Sequence, residues 1–158
     1  MRLLFNASEM VAAWVRQRVK HVPSGGFGPC TAIGVTDDEG RLVAGVVYFS
    51  YDGGTLTMAV AADDKRWATR FVLRALFAYP FNQAKCRRVT AVTPKRAKST
   101  RAFLLRLGFT LEGHLRQQFA DDDAMIYGML RRDWEAAGGD VLRIGKNVPR
   151  GTIAERAA

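Results

Sequence analysis

Three consecutive runs of strand-forming residues, separated by tight turns, constrain the fold of this chain more than any other sequence feature. Residues 30–36 and 42–51 are rich in Val, Ile, Thr and Tyr and flank the turn sequence DDEG at 37–40. This pattern is typical of a β-hairpin. A second turn, DGG at 52–54, leads into another apolar run at 55–61. The three runs together predict an antiparallel meander.

One helix is predicted before the meander in the sequence and another after it. Residues 8–22 place apolar side chains near helical spacing, with Ser8 as the N-cap and Pro23 just beyond the end. Residues 67–79 present a single apolar face, and Pro80 is expected to end that helix because proline cannot donate a backbone hydrogen bond.

A strand and a shorter helix follow. Asp63 or Asp64 can cap the helix that begins near residue 67. Residues 87–93 are then expected to form a strand, and residues 99–107 a helix that stops at Gly108. The predicted order up to this point is helix, three strands, helix, strand, helix.

A hairpin and a tail complete the chain. Residues 109–119 and 124–132 are expected to pair around the acidic turn at 121–123. With 158 residues, the chain is long enough for one domain, which we place at 1–134. The basic, glycine-containing stretch 135–158 is expected to be a mobile or loosely packed tail. Its apolar residues able to dock are Val141, Leu142 and Ile144.

The two cysteines and the first residues of the chain indicate where the protein works. Cys30 and Cys86 lie far apart without a CxxC spacing, so neither a zinc site nor a disulfide framework is expected. The first six residues lack the features of a signal peptide, and the longest apolar run is about as long as one strand. We therefore expect a soluble cytoplasmic protein without a membrane segment.

Positive charge is concentrated in one segment. The chain carries a formal net charge of +9. Residues 65–111 contain 12 Lys and Arg and no Asp or Glu, which leaves 12 basic against 15 acidic residues, a net of −3, for the remainder. Such a segment favours an anionic ligand. Coenzyme A, with its phosphates, and a nucleic-acid backbone are both candidates.

Two stretches in the second half of the chain resemble the GNAT superfamily of N-acetyltransferases. The sequence TRAFLLRLGF at 100–109, followed by LEGHLR at 111–116, is similar to the late helix and following strand of the branch that includes ribosomal-protein N-terminal acetyltransferases. YGMLRR at 127–132 is similar to that branch's final strand. YPF at 79–81 resembles a helix ending in a subset of these proteins, some of them phage-borne.

The resemblance covers about residues 1–134 and implies an α+β fold with a mixed, mostly antiparallel sheet flanked by helices. It also implies that acetyl-CoA binds where the fourth strand is bulged and splays from the fifth. Backbone groups left unpaired by a bulge can be satisfied by a ligand. The candidate residues on that strand are Met58, Ala59 and Val60.

The resemblance further places the pyrophosphate at the N-terminus of the next helix, where free N–H groups and the helix dipole favour an anion. The loop at 63–71 departs from the glycine-rich signature of the family. Positively charged side chains are expected to compensate. Ala68, Thr69 and Phe71 stand where glycines are usual, and Lys65, Arg66 and Arg70 are the charged donors.

Acid and base candidates also follow from the resemblance. Thr100 keeps a hydroxyl that could bind the departing thiolate, and Phe103 on the same helix is expected to contact the cofactor. Tyr127 is the other acid candidate, with a core aromatic as the alternative. Glu112 and His114 alternate along one strand and therefore share a face, which makes them candidates for the general base. A loop-fixing Glu112 and an idle surface His114 are the alternatives.

An acetyl-CoA-dependent N-acetyltransferase that acetylates a primary amine directly, without a metal, is the favoured function. The acceptor is open among a protein N-terminus, a lysine side chain and a small amine, with a protein preferred. A catalytically silent GNAT-like binding module is the alternative. Nucleic-acid binding is disfavoured because no basic motif with interleaved aromatics is present. A homodimer is left open.

Overall fold

A seven-stranded mixed sheet forms the centre of the computed structural model, which describes residues 1–147. The strand order is β1-β2-β3-β4-β5-β7-β6. All neighbouring strands are antiparallel except β4 and β5, which are parallel. The strands are β1 (Arg2–Leu4), β2 (Cys30–Thr36), β3 (Leu42–Phe49), β4 (Thr55–Ala62), β5 (Arg88–Pro94), β6 (Thr110–Leu115) and β7 (Ala124–Leu130).

Five α-helices accompany the sheet in the described residues. The predicted order of helices and strands from the first helix to the final hairpin is confirmed, while the short edge strand β1 was not predicted. Among residues 1–147, no helix is long and apolar enough to cross a membrane. The helices are α1 (Ser8–Arg16), α2 (Arg70–Ala78), α3 (Lys98–Leu107), α4 (Arg131–Ala136) and α5 (Val141–Asn147).

The first helix is shorter than predicted and is held differently. It ends at Arg16 rather than near residue 22. Ser8 is the first helical residue, not the N-cap, and its hydroxyl accepts a hydrogen bond from the backbone N–H of Ala32 at 2.9 Å. The side chain therefore ties the start of α1 to β2.

The second helix begins and ends differently from the prediction. A 3-10 turn (Lys65–Trp67) precedes α2, so Asp64 caps that turn, while the hydroxyl of Thr69 caps α2 itself. Pro80 does not end the helical backbone, because a π-helical turn (Tyr79–Gln83) continues beyond α2. Proline is tolerated at the first turn of a helical segment since its missing N–H has no partner there.

Apolar side chains cover both faces of the sheet. On one face α1 packs Val11 and Val15 against β3, where Gly45 lies close enough that a Cβ atom would overlap both valines. On the other face α2 and α3 bury a larger cluster around Phe77 and Phe109, whose rings lie 6.0 Å apart. These two layers cover the strands between which a cleft opens.

The first part of the expected tail, residues 135–147, contains the end of α4, a short turn and α5, and it is packed rather than loose. Val141 and Asp140 are 1% and 3% exposed, and α5 contacts α3. This packing requires Gly108, whose left-handed φ of 96° ends α3 as predicted and whose Cα faces Ile144. The apolar residues that the sequence identified as able to dock, Val141, Leu142 and Ile144, all pack in or against the larger core cluster. The rest of the expected tail, residues 148–158, lies outside the described residues.

We predict that Gly108→Ala destabilises the protein more than Gly40→Ala does. Both glycines have positive φ, so alanine costs about 1 kcal/mol at either position. Only at Gly108 would the new methyl group overlap Ile144 and meet the backbone nitrogen of Gly145 at 3.0 Å, whereas nothing lies within 4 Å at Gly40. Overpacking adds about 1–3 kcal/mol. Urea denaturation of both variants measures the difference, and equal losses would show that α5 does not dock on α3.

Candidate active site

The two central strands of the sheet separate along their length. β4 and β5 pair only over Thr55↔Arg88, Leu56↔Val89 and Thr57↔Thr90. Beyond these residues β4 continues to pair with β3 as far as Ala62, and β5 continues to pair with β7 as far as Pro94. The sheet therefore contains a wedge-shaped opening between the carboxyl ends of two parallel strands.

A cavity of about 440 Å³ occupies this opening. Its volume lies in the range of ordinary ligand pockets, about 300–1,000 Å³. Its lining comes from β4 and β5, the start of α3, the segment after α1 and the β6–β7 turn. The lining residues are Arg18, Val19, Lys20, His21, Met58, Ala59, Val60, Ala91, Val92, Thr93, Pro94, Arg96, Ala97, Thr100, Leu104 and Asp121.

Four of the residues singled out in the sequence come together in this lining. Met58, Ala59 and Val60 provide the β4 side of the wedge, where no strand pairs with their edge facing β5 in the described chain. Thr100 lies opposite, exposed on the first turn of α3. Unpaired strand edges present free backbone donors and acceptors. The cleft can therefore bind an extended ligand that carries amide groups.

The start of α3 also faces this cleft. Its N-cap residue, Ala97, provides no side-chain hydrogen bond to the first turn. The first N–H groups of a helix have no partner within the helix, and with the dipole they favour a negative charge. Together with the Thr100 hydroxyl, this helix end can stabilise an anion that develops in the cleft.

The loop after β4 is closed by its own side chains. Asp64 accepts hydrogen bonds from the backbone N–H of Arg66 at 2.9 Å and from its guanidinium at 2.7 Å. The Arg66 side-chain hydrogen bond lowers the pKa of Asp64 to about 2. Trp67 is 6% exposed and packs near Phe103, with ring centroids 6.0 Å apart. An indole group thus lies in the loop where the family resemblance implied glycines.

The residues at the start of α2 are only partly free for a ligand. Arg70 pairs with the buried carboxylate of Asp140 at 3.2 Å, which draws it toward the α4–α5 connection. Phe71 is 67% exposed, because the buried face of α2 is formed instead by Val72, Leu73, Leu76 and Phe77. The single apolar face expected over residues 67–79 was predicted to include Phe71, and on this point the prediction is wrong. Lys65 is exposed, and Ala68 is partly buried.

Tyr127 is placed in the core and outside the cleft lining. It is 1% exposed, and its hydroxyl accepts a hydrogen bond from Nε of Arg101 at 3.0 Å. Arg101 is itself 6% exposed and also donates to the backbone carbonyl of Lys95 at 3.0 Å. These bonds fix the start of α3 against β7. The geometry corresponds to the core-aromatic alternative.

The two residues expected to provide the base lie on the edge strand β6, outside the lining. Glu112 accepts a hydrogen bond from Nη2 of Arg88 at 2.6 Å, and its carboxylate lies over Gly128 of the intervening strand. His114 bonds to the carboxylate of Asp123 at 2.7 Å. The backbone N–H of Gln117 and then His114 lower the pKa of Asp123. Both side chains therefore connect strands or loops.

Five charged or titratable residues line the cleft in addition to the predicted site residues. Arg18 forms a bidentate pair with Asp63, whose pKa the Arg18 hydrogen bond lowers. The other four are Lys20, His21, Arg96 and Asp121. The five residues come from three connections, α1–β2, β5–α3 and β6–β7, so no local spacing could have revealed the set. Only the sequence's acidic turn at 121–123 hinted at this region.

An aromatic stack joins the α1–β2 connection to the β6–β7 connection. The rings of His21 and Phe119 lie with centroids 4.2 Å apart and an interplanar angle of 30°. Arg96 binds the turn beside Phe119 through Asp121 and Asp122, at 3.3 and 3.2 Å. The hydrogen bond from the Arg96 backbone is the main cause of the lowered pKa of Asp122. The far side of the cleft is thereby closed by contacts between distant parts of the chain.

No protein-family model matches this sequence, and no curated protein sequence matches it. Solved structures that resemble it include a mutant form of the spermidine/spermine N-acetyltransferase SpeG from Vibrio cholerae. That structure has a TM-score of 0.62 and 14% identity, over 68% of this chain and 70% of the other. A chimera of the Vibrio cholerae enzyme and hSSAT gives 0.61 and 14%, over 69% and 72%. The manganese complex of SpeG gives 0.58 and 14%, over 69% of each chain. At this identity the likeness establishes the fold, and the chain has the α+β GNAT fold that its sequence motifs predicted.

Proposed function

We propose that the protein is an acetyl-CoA-dependent N-acetyltransferase that acetylates a primary amine. The observation that supports this proposal is the separation of β4 from β5 after three residue pairs. A sheet that opens in its middle leaves backbone groups without partners, and a bound ligand can satisfy them. The similar structures named above are spermidine or spermidine/spermine N-acetyltransferases, which is consistent with acetyl transfer to an amine.

The residues around the wedge fit acetyl-CoA. The edge of β4 at Met58, Ala59 and Val60 can pair with the amides of the pantetheine arm. The start of α2, whose first turn contains no acidic residue, suits the pyrophosphate, and Lys65 lies exposed before it. Bound there, acetyl-CoA supplies an activated acetyl group as a thioester.

The protein's main contribution is to hold two reactants together and to stabilise charge. Positioning of reactants can contribute about 7–11 kcal/mol to a bimolecular reaction. The Thr100 hydroxyl and the uncapped N-terminus of α3 stabilise the departing thiolate. The β4 backbone stabilises the developing oxyanion through its N–H groups. Glu112 and His114 take no part in this chemistry, because each binds another side chain outside the lining.

The acceptor approaches from the side bordered by the segment after α1 and the β6–β7 turn. The one carboxylate in the described lining, Asp121, is shared with Arg96 at 3.3 Å. A polyamine carries several positive charges and would meet Arg18, Lys20 and Arg96 there. This excess of positive over negative charge favours an acceptor with one cationic amine, such as a protein N-terminus or a lysine side chain. We place the reaction in the cytoplasm.

We expect Ala97→Phe to abolish binding of acetyl-CoA by filling the wedge. Ala97 is half-buried and lines the cleft, so a phenyl group would occupy the space of the ligand. Isothermal calorimetry should show affinity reduced by at least tenfold, with an unchanged melting temperature. Ala12→Phe is the matched control, since Ala12 is also half-buried but borders a separate depression beside α1. Unaltered affinity in the Ala97 variant would contradict the assigned cofactor site.

Thr100→Val should slow turnover without weakening acetyl-CoA binding. A hydrogen bond to a charged group contributes about 1.5–3 kcal/mol, which corresponds to a loss of roughly tenfold to a hundredfold in kcat. Stopped-flow measurement of thiol release tests this expectation. Ser99→Ala, at an exposed neighbouring position outside the lining, is expected to leave kcat unchanged. A wild-type rate for Thr100→Val would remove the hydroxyl from the mechanism.

Glu112→Gln is expected to retain the kcat/KM of the wild type within about twofold. Its carboxylate binds Arg88 across β7, so the change weakens a half-exposed ion pair that contributes less than about 1 kcal/mol. Steady-state kinetics and thermal melting of the variant and wild type provide the comparison. A rate reduced a hundredfold, with the fold intact, would instead identify Glu112 as the base.

A further inference from the structure

His21 lines the cleft that also contains Thr100, and it lies on the segment that follows α1. Its ring stacks on Phe119 at a centroid distance of 4.2 Å, so the imidazole is held in a defined plane. Since Phe119 belongs to the β6–β7 connection, two separate parts of the chain determine the position of this one ring.

The other possible bases near the cleft are already engaged. Asp121 and Asp122 bind Arg96, and Asp63 binds Arg18 through two hydrogen bonds. The other charged groups that border the cleft beside His21 are the cations Arg18, Lys20 and Arg96. These side chains cannot accept a proton at neutral pH in their charged forms. Among the residues lining the cleft, His21 is the group that can do so without first breaking an ion pair.

We propose that His21 is the general base of the acetyl transfer, a role that rests on the proposed function. An unprotonated ring nitrogen of His21 accepts one proton from the acceptor ammonium, which frees the nitrogen lone pair. That nitrogen forms a bond to the carbonyl carbon as the carbon–sulfur bond breaks, and the electron pair leaves with sulfur. The second proton lost from nitrogen goes to the thiolate, and His21 returns its own proton to solvent. The products are the N-acetyl amine, the free thiol and one proton.

Phe119 acts as a positioning residue for this base. Its ring supports one face of the imidazole, while the backbone N–H of Phe119 donates to the carbonyl of Asp122 at 3.0 Å and closes the turn. Removing the ring would leave His21 in the cleft with more freedom. Phe119→Leu is therefore expected to reduce kcat about threefold to tenfold, whereas Phe119→Tyr, which keeps an aromatic ring, should retain most of the wild-type kcat.

The test compares His21→Ala with His114→Gln, because the chain contains two histidines and the second lies outside the lining. General-base catalysis contributes about 10²–10⁴-fold, so kcat/KM for an alkylamine should fall by at least a hundredfold in His21→Ala. Acetyl-CoA affinity from calorimetry should stay within twofold. Added imidazole should recover at least tenfold of the lost rate, and His114→Gln should match the wild type.

A weakly basic amine provides the second comparison. An arylamine is neutral at pH 7 and needs no deprotonation before attack, so its acetylation should fall less than fivefold in His21→Ala. Equal losses for alkylamine and arylamine, or a lack of imidazole rescue, would reduce His21 to a structural residue. NMR of ring-labelled histidine should show the His21 signal, but not that of His114, shifted by the alkylamine in the presence of coenzyme A. An unshifted His21 signal would also overturn the proposal.

These outcomes separate the inference from the function on which it rests. If the wild type turns over an alkylamine and His21→Ala does so equally well, the inference alone fails. If the wild type acetylates no amine and binds no acetyl-CoA, the proposed function itself fails. If it binds acetyl-CoA without turnover, the protein is a silent binding module, and the base assigned to His21 falls with the enzyme activity.

Discussion

The brief parallel contact between β4 and β5 is the constraint on which the rest of the structure depends. Parallel neighbours cannot be joined by a tight turn, so the chain must cross over through α2 and the π-helical turn before β5 can form. β4 stays paired with β3, and β5 stays paired with β7. Sheets twist, and two strands held by different neighbours diverge as their common contact ends. The cleft is a consequence of this topology, and its location follows from where the pairing stops.

Folding pairs several of the basic residues with carboxylates, and this changes which ligands the charge distribution favours. The segment 65–111 is purely basic in sequence, yet four of its arginines meet carboxylates from Asp64, Glu112, Asp140 and the β6–β7 turn. Each such pair reduces the local positive field, which weakens the argument for a polyanion spread over the whole segment. What remains near the cleft is a small set of cations with one shared carboxylate. Such a site differs chemically from one designed for a polycation.

Two kinds of structure line the cleft. One part of the lining is strand backbone and a helix terminus, which need only the fold and few particular side chains. The other part comes from the segment after α1 and the β6–β7 turn, which are held together by the His21–Phe119 stack and by Arg96. Connections vary more easily than the elements they join, and they commonly carry specificity. A fold shared at 14% identity can therefore hold clefts of different charge.

The sequence by itself determined the order of the main helices and strands, the stop at Gly108 and the GNAT fold, because periodicity, turn residues and motifs are local properties of the chain. It also singled out Met58, Ala59, Val60 and Thr100, which all line the cleft, since each lies on an element whose place in that fold is fixed. Only the tertiary structure decided that Trp67 is buried, that Glu112 crosses Gly128 to reach Arg88 and that α5 docks on α3. Likewise, His21 and Phe119 meet across 98 positions because their connections converge at one end of the sheet. No spacing along the chain encodes such a contact, since it arises from the packing of elements rather than from their individual patterns.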